Sequence, residues 1–354
     1  MSVPVDVNAP ASAQASAPAG AVASGSAPAI VVEGLGKRFR VPRREAGIGA
    51  ALRALFRRDY ETVEAVRGLS LRIAAGERVG FLGPNGAGKT TTLKMLAGLL
   101  HPSAGEVRVG GWVPHRRERE FLRTISLVMG QKLQLSWDLP AVDSFELTRV
   151  VFDVERATFR RRLDALVSLL AAGAIVNKPV RQLSLGERMK CELIASLLHG
   201  PRILFLDEPT IGLDVAMQAA IRGFVRAYNE EHGATVILTS HYMEDVAALC
   251  PRIVVIDGGE LRFDGTIEAL TRRIHPLRRV SAAADGVPAE AALAELGRVV
   301  ERAEGRVVLD VEPARVGAVV TAVLGWPGSR DLVVRDAPLE EVMRSLFDRG
   351  REGA

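Results

Sequence analysis

The sequence predicts an α/β fold, and three observations support that prediction. Between residues 30 and 270, short apolar runs alternate with segments of helical periodicity, as in a sheet covered by helices. A glycine-rich segment, 83–90, follows the apolar run 79–82 and precedes a helical run at 91–100. From about Pro276 the composition changes to Ala, Val, Glu and Arg. Together these observations indicate one large α/β domain followed by a small appendage.

The N-terminal segment 1–28 is predicted to be a disordered tail. Ala, Ser, Pro, Gly and Val dominate it, and charged residues are almost absent. It lacks the basic start and the compact apolar centre of a secretory signal peptide. No window of the whole chain approaches the roughly 18 consecutive apolar residues that a membrane-spanning helix requires, so we expect a soluble or peripheral protein.

The charge balance and the cysteines exclude some classes of site. The formal net charge is +4, from 46 Lys and Arg against 42 Asp and Glu. So small a surplus does not predict binding to nucleic acid. The two cysteines, Cys191 and Cys250, lie far apart without a CxxC pair. They are typical of a reducing compartment and predict no metal site.

The α/β domain is expected to span 29–272, with its first strand starting at Val31 and Val32. Further strands of the central sheet are predicted from four apolar runs, at 76–82, 202–206, 234–238 and 252–256. Between 139 and 200 the periodicity becomes helical, with helices predicted at 159–172 and 191–198. We interpret 139–200 as a helical subdomain within the α/β domain.

The segment 276–354 is predicted to form a small α+β domain. Its strands are expected at 306–311 and 331–334, and its helices at 289–296, 314–324 and 339–347. Its composition and spacing indicate no catalytic site.

The segment 83–90 has the composition of a phosphate-binding loop. Its glycines let successive backbone N–H groups converge on a polyphosphate without Cβ clashes, and the helix that follows presents its positive end to the same anion. Lys89 is expected to reach the β- and γ-phosphates, and the Thr90 hydroxyl to bind Mg²⁺. The candidate nucleotide-binding residues here are Gly83, Asn85, Gly86, Ala87, Gly88, Lys89, Thr90 and Thr91. The loop between its strand and helix therefore predicts a P-loop NTPase sheet core.

Two carboxylates, Asp207 and Glu208, end the apolar run 203–206. We expect Asp207 to hold Mg²⁺ through water, and Glu208 to orient and deprotonate the water that attacks the γ-phosphate. On these residues alone, a polar turn before Pro209 is an equally good interpretation.

A third motif lies about twenty residues upstream, where Ser184 and Glu187 form an S-x-x-E capping box. By itself this pattern indicates only a well-capped helix. Gly186 removes a side chain from the first turn, however, so the helix N-terminus can approach a second phosphate and the Ser184 hydroxyl can hydrogen-bond it.

In their order, these motifs resemble those of the ATP-binding subunits of ABC transporters, over about 31–270. The resemblance implies a Walker A pair at Lys89 and Thr90, a signature at Ser184 and Gly186, and Walker B with the catalytic base at Asp207 and Glu208. This chain departs from the family's signature at Leu185 and Glu187, where family members more often have Gly and Gln.

The resemblance also implies roles for residues that would carry no signal alone. It assigns Gln131 to the Q-loop, where its amide can touch Mg²⁺ or the attacking water. It assigns Asp214 to the D-loop, and His241 to the switch position, where a neutral imidazole can donate to the γ-phosphate. Phe39 is the candidate ring for stacking on adenine. From the residues alone, Gln131 could be merely exposed, Asp214 a helix cap, and His241 a surface or core residue.

A basic insertion is predicted at 40–64, between Phe39 and the next strand at Val66. Apolar residues at helical spacing accompany arginines in it: Ile48, Leu52, Leu55 and Phe56 beside Arg43, Arg44, Arg53, Arg57 and Arg58. Two interpretations stay open: an amphipathic helix against a membrane or permease, or a helix packed on its own domain.

The resemblance further implies ATP and Mg²⁺ as ligands and a second copy of the chain as partner. In such a head-to-tail dimer, ATP lies between Lys89 of one copy and Ser184 of the other. The other implied partner is an integral membrane permease, which gives a location at the cytoplasmic face of the plasma membrane. The segment 133–145 is either its docking surface or core of the helical subdomain. We expect an exporter, and the alternative is a soluble ABC ATPase in repair or cofactor assembly.

Overall fold

The computed structural model describes residues 28–42, 60–130, 132, 134–240 and 242–352. The predictions for the tail, for most of the insertion, and for Gln131 and His241 therefore lie outside the described residues. Within the described residues, no helix is both long enough and apolar enough to cross a membrane.

A three-stranded antiparallel sheet opens the domain, in the order β2-β1-β4. Its strands are β1 (Pro28–Pro42), β2 (Tyr60–Ala74) and β4 (Ala104–Val109). The first strand thus already includes Pro28, which we assigned to the tail. The strand expected to start at Val66 begins earlier, at Tyr60. Val41 pairs with Glu61 and Arg40 with Thr62, so β1 and β2 extend into both ends of the predicted insertion 40–64. The start of β2 is mostly exposed, so it has no apolar run by which the sequence could reveal it.

The central sheet has six strands in the order β5-β6-β7-β3-β8-β9. They are β3 (Arg78–Leu82), β5 (Ile125–Met129), β6 (Ile203–Asp207), β7 (Thr235–Thr239), β8 (Arg252–Asp257) and β9 (Glu260–Thr266). All neighbours are parallel except β8 and β9. The carboxyl ends of β3, β5, β6 and β7 consequently lie along one edge, and the loops that follow them meet there.

Eight helices of the described residues surround these sheets. They are α1 (Lys89–Leu96), α2 (Arg119–Thr124), α3 (Ala141–Phe152), α4 (Arg156–Leu169), α5 (Leu185–Leu197), α6 (Val215–His232), α7 (Met243–Leu249) and α8 (Ile267–Ile274). Short 3₁₀ turns lie at Pro114–Arg116 and Val180–Gln182. The helices predicted at 159–172 and 191–198 correspond to α4 and to the second half of α5.

The central sheet is buried on both faces, as its apolar strands predict. Phe81, Phe205 and Ile237 pack in one core cluster, with the three-stranded sheet and α1. Leu204 and Leu206 point to the other side, into a second cluster with the helices of 141–197. Successive side chains of β6 therefore pack alternately into the cores on the two faces of the central sheet.

The C-terminal segment has a βαββαβ order. Its elements are β10 (Arg278–Ala283), α9 (Glu290–Leu296), β11 (Arg298–Ala303), β12 (Arg306–Val311), a 3₁₀ turn (Pro313–Arg315), α10 (Val316–Leu324), β13 (Arg330–Arg335) and α11 (Leu339–Glu352). They form an antiparallel sheet, β11-β12-β10-β13, with its own apolar cluster. This is the split βαβ arrangement of ferredoxin-like folds.

The last helix, α11, does not stay with this C-terminal sheet alone. Leu339, Val342 and Met343 belong to the same core cluster as Leu270 and Ile274 of α8. The apolar core thus continues across the domain boundary that we predicted between 272 and 276, and that boundary stays a prediction.

Candidate functional site

The glycine-rich loop is wedged between two strands. A Cβ on Gly83 would lie 2.1 Å from the Ile256 carbonyl oxygen, and a Cβ on Gly88 would lie 2.4 Å from the Ala65 carbonyl oxygen. Gly88 also has a φ of +100°, which side-chain-bearing residues rarely adopt. These two glycines let the loop pass close to backbone on either side. Asn85 and Gly86 at its tip are exposed.

Lys89, the first residue of α1, folds back over this loop. Its ammonium group donates to the carbonyl oxygens of Gly83 at 2.6 Å and Pro84 at 3.0 Å. Burial lowers the pKa of Lys89, and the nearby carboxylates of Glu208 and Asp207 act against that shift by raising it. The cation is thus held at the centre of the loop, where an anion bound by the loop would replace the carbonyl partners.

Asp207 joins the loop to the ends of two strands. Its Oδ1 accepts hydrogen bonds from the hydroxyl of Thr90 at 3.1 Å and from that of Thr239 at 2.7 Å. The structure therefore brings together two of the three residues predicted to contact Mg²⁺, Thr90 and Asp207; the third, Gln131, lies outside the described residues. Hydroxyl and carboxylate oxygens are the donors that Mg²⁺ prefers, so this pair fits the ion.

Glu208 has a left-handed backbone, with a φ of +54°. Its N–H donates to the Thr239 carbonyl at 3.0 Å and to the Thr239 hydroxyl at 3.1 Å. Gly130 packs directly against it, since a Cβ there would lie 2.1 Å from the Glu208 carbonyl oxygen. Such a conformation costs about 1–3 kcal/mol and persists only where the surroundings enforce it. Thr239 and Gly130 are the surroundings that do so here.

The residues predicted to form the signature lie at the start of α5. The Ser184 hydroxyl accepts from the Glu187 N–H at 3.2 Å, and the Glu187 carboxylate accepts from the Ser184 N–H at 2.8 Å. That backbone hydrogen bond lowers the pKa of Glu187. The capping box is therefore formed as the sequence predicts.

Gly186 has a packing role that the sequence analysis missed. A Cβ at this position would lie 2.8 Å from two carbons of the Met217 side chain on α6. The missing side chain thus lets α5 and α6 approach each other. Only the tertiary structure could reveal this, because Met217 is thirty-one residues away in sequence.

The remaining candidates occupy separate places. Phe39 lies on β1 opposite Val63, with the Lys37 ammonium 5.2 Å from its ring centroid. Asp214 caps α6 by accepting from the Met217 N–H at 2.8 Å, as the helix-cap interpretation predicts. Thr91 is half-buried in the first turn of α1.

Thr239 is a site residue to which the sequence analysis gave no role. It contacts both Asp207 and Glu208 from the end of β7. Its signal is visible in retrospect, because a hydroxyl residue follows the apolar run 236–238 and ends the strand that pairs with the one ending in Asp207. A polar group at that edge is a candidate ligand or positioning residue.

Comparison with known proteins gives a consistent result. A family model described as "ABC transporter" matches residues 66–211. Nod factor export ATP-binding protein I of Ralstonia nicotianae is 33% identical over 332 residues, which cover 92% of this chain and 95% of that protein. The ABC transporter ATP-binding protein NatA of Bacillus subtilis is 34% identical over 215 residues, 61% of this chain and 87% of NatA. Daunorubicin resistance ATP-binding protein DrrA3 of Streptomyces coeruleorubidus is 38% identical over 211 residues, 60% of this chain and 66% of DrrA3.

Solved structures share the fold. An ATP-binding subunit of an ABC transporter superposes with a TM-score of 0.57 at 20% identity, over 69% of this chain and 92% of that one. An ATP-binding cassette solved as a post-hydrolysis dimer with ADP and Pi has a TM-score of 0.56 at 24% identity, over 67% of this chain and 98% of that one. Since relatives more than 30% identical are matched over most of their length, this chain belongs to the ATP-binding subunits of ABC transporters and is an ATPase.

Proposed function

We propose that this chain hydrolyses ATP at a site shared between two copies and thereby drives export through a separate membrane permease. The observation that carries the proposal is the convergence of Lys89, Thr90, Asp207 and Glu208 at one edge of the central sheet. An ammonium group, oxygen donors for a divalent cation and a carboxylate are the groups that phosphoryl transfer to water needs.

In this proposal each side chain has one task. Lys89 exchanges its two carbonyl partners for phosphate oxygens. Thr90 and Asp207 hold Mg²⁺, which when bound neutralises charge on the phosphates. Glu208 accepts the proton of the attacking water. Its left-handed backbone conformation sets the direction in which its side chain leaves the loop. Gln131 and His241 keep the roles that the family resemblance implies.

The second copy supplies Ser184 and Gly186 from the start of α5. The exposed apolar side chains Leu185 and Val215 lie at the N-termini of α5 and α6, and a Cβ on Gly212 would lie 3.1 Å from Leu185. Apolar groups at this end of both helices support burial against another protein surface. The proposed partner there is the loop 83–90 of the second copy.

The permease is proposed to dock on an exposed apolar patch of the helical subdomain. We call this the docking patch; it comprises Trp137, Leu139, Leu147, Val150 and Val151, which are 48–62% exposed. The last three lie on one face of α3, at the spacing of a helix stripe. Exposed clusters of this kind mark interaction sites.

The docking patch differs in extent from the segment 133–145 proposed from sequence. Ala141 and Phe145 are fully buried, so part of that segment is core. The apolar surface continues instead along α3 to residue 151. The core interpretation therefore applies to Ala141 and Phe145, and docking is proposed only for the exposed Trp137 and Leu139.

Export is proposed because relatives are named for it. One is a Nod factor export protein, and others are named for daunorubicin and linearmycin resistance. The proposed location is the cytoplasmic face of the membrane, as a peripheral subunit. The chemical identity of the cargo would be set by the permease.

The test of the catalytic site is the Glu208→Gln variant. Loss of the general base is expected to lower kcat by about a hundredfold or more while ATP still binds. Steady-state ATPase assays and size-exclusion chromatography with ATP measure the two effects. A variant with normal turnover would refute the proposed role of Glu208.

The test of the transporter proposal is co-purification of the chain from detergent-solubilised membranes. We expect a membrane protein to accompany the wild type, and Leu147→Asp to lose it because a charge interrupts the docking patch. Val333→Asp, at an exposed apolar position of β13, is the matched control and should retain the partner. A wild-type chain found only in the cytosol, with no permease bound, would instead favour the soluble ATPase.

A further inference from the structure

A buried carboxylate outside the motifs connects the loops around the site. Asp245 lies on α7, and its side chain is fully buried. Its Oδ1 accepts from the Arg222 guanidinium at 2.5 Å. Its Oδ2 accepts from the Ser240 hydroxyl at 3.0 Å and also from the Thr210 hydroxyl. One side chain thus holds three polar partners from three different segments.

The positions of these partners matter for catalysis. Thr210 lies two residues after Glu208, and the turn between them is closed by the Ile211 N–H donating to the Glu208 carbonyl at 3.3 Å. The Thr210 carbonyl in turn accepts from Leu213 at 3.2 Å. The Thr210 hydroxyl is therefore the point where the loop carrying Glu208 is fixed to α7.

The second arm holds the loop that follows β7. The Ser240 hydroxyl donates to Asp245 and accepts from the Tyr242 N–H at 3.0 Å, and the Asp245 N–H donates to the Tyr242 carbonyl at 3.1 Å. The residues before and after position 241 are thereby both tied to Asp245.

The foundation of this network is rigid. α7 packs closely on β3, because a Cβ on Gly80 would lie 2.4 Å from a Val246 methyl group. Arg222 brings α6, the helix after the D-loop, to the same carboxylate. Through these hydrogen bonds Asp245 links the loops that carry Thr210 and Ser240 to the two helices α6 and α7.

We propose that Asp245, acting through Thr210 and Ser240, is a positioning residue that holds the Glu208 loop and the end of β7 in register for hydrolysis. This inference rests on the proposed function, in which Glu208 is the general base. Asp245 itself does not touch the reacting atoms. Removal of the Asp245 carboxylate should therefore slow hydrolysis without weakening the binding of ATP by the loop 83–90.

The test removes single arms, since Asp245→Asn could fail to fold. Thr210→Val keeps the shape and deletes the hydroxyl, whereas Thr210→Ser keeps the hydroxyl. Ser240→Ala removes the other arm. Ser196→Ala is the matched control, because the hydrogen bond that this buried hydroxyl makes among the described residues stays within α5, to the Leu193 carbonyl at 2.8 Å. Steady-state kinetics and binding of a fluorescent ATP analogue are measured on the full chain.

We expect Thr210→Val and Ser240→Ala to lower kcat at least about tenfold, with KM and analogue affinity within about twofold of wild type. Thr210→Ser should recover most of the lost rate, and Ser196→Ala should keep the wild-type rate. Normal kcat in Thr210→Val would overturn the inference. So would a Thr210→Ser variant as slow as Thr210→Val, or parallel losses of kcat and binding.

These outcomes are separable from failure of the proposed function itself. If Glu208→Gln turns over normally, the proposed function fails. If Glu208→Gln is slow but Thr210→Val is not, only the positioning role of Asp245 fails.

Discussion

Replacing Arg279 by Met should destabilise the C-terminal sheet more than any surface charge change. The Arg279 side chain is 6% exposed and bonds both oxygens of Asp310, at 2.9 and 3.3 Å, and both of Glu341, at 2.6 and 3.0 Å. Asp310 is fully buried, and its other partners are His275 at 3.1 Å and Arg298 at 3.7 Å. Without Arg279, most of the compensation of that buried charge is lost.

The magnitude follows from that geometry. Removing one partner of a buried ion pair costs about 3–5 kcal/mol, because the other charge stays buried. At about 1.4 kcal/mol per factor of ten, amide exchange that requires opening of this sheet should accelerate by about 10²- to 4 × 10³-fold. The assay is hydrogen exchange of β12, which lies at the centre of the sheet. Hydrogen exchange reports on this sheet separately, whereas a single melting temperature is not well defined for a chain with several cores.

The pH dependence gives an independent check. Hydrogen bonds from Arg279 hold the pKa of Glu341 below its ordinary value of 4.5. A depressed carboxyl pKa contributes stability above the unfolded-state value, and that contribution is lost as pH falls through the folded-state pKa. The difference between wild type and Arg279→Met should therefore narrow below pH 4.5. Arg330→Met, which loses an exposed pair with Asp285, is the control and should change exchange little. Exchange of β12 within about threefold of wild type in Arg279→Met would refute the reasoning.

Two further predictions concern the glycine loop and a buried histidine. Gly88→Ala should weaken ATP binding by about tenfold or more, because its Cβ meets a backbone oxygen that cannot move aside. A Cβ on Gly86 meets no atom within 4 Å, so Gly86→Ala should bind ATP more tightly than Gly88→Ala in the same titration. Burial lowers the pKa of His199 to about 4. Between pH 6.5 and 4 the unfolded chain binds a proton at His199 that the folded chain does not bind. The free energy of unfolding should therefore fall by about 3 kcal/mol over that range. In His199→Gln this contribution to the pH dependence should be absent, as measured by urea titrations at a series of pH values. A pH slope equal to that of wild type would contradict this assignment.

The parts of the fold that sequence predicts are those whose pattern is set by burial. β6 and β7 are buried along their whole length and contain runs of three or four large apolar residues because both faces are covered, so the sequence reveals them. β11 is exposed along most of its length and rich in charge, and no apolar run marks it. The other strand of the C-terminal domain that the sequence does not reveal is β10, which is largely buried. Its arginines, serine and alanines form no run of large apolar residues.

The candidate site divides in the same way. Lys89, Thr90, Asp207 and Glu208 carry a local pattern, and the structure brings them to one sheet edge. Asp245 has no such pattern, because an acidic residue in the first turn of a helix is ordinary. Its significance depends on partners that are distant in sequence, and only the folded chain brings them together.

The packing of α11 on α8 has a consequence for how the chain folds during synthesis. Leu270 and Ile274 leave the ribosome about 70 residues before Val342 and Met343, which complete their core cluster. Until then, the larger domain has an uncovered apolar surface, open to chaperones or to other nascent chains. We therefore expect the C-terminal segment to complete the core of the larger domain only late in synthesis.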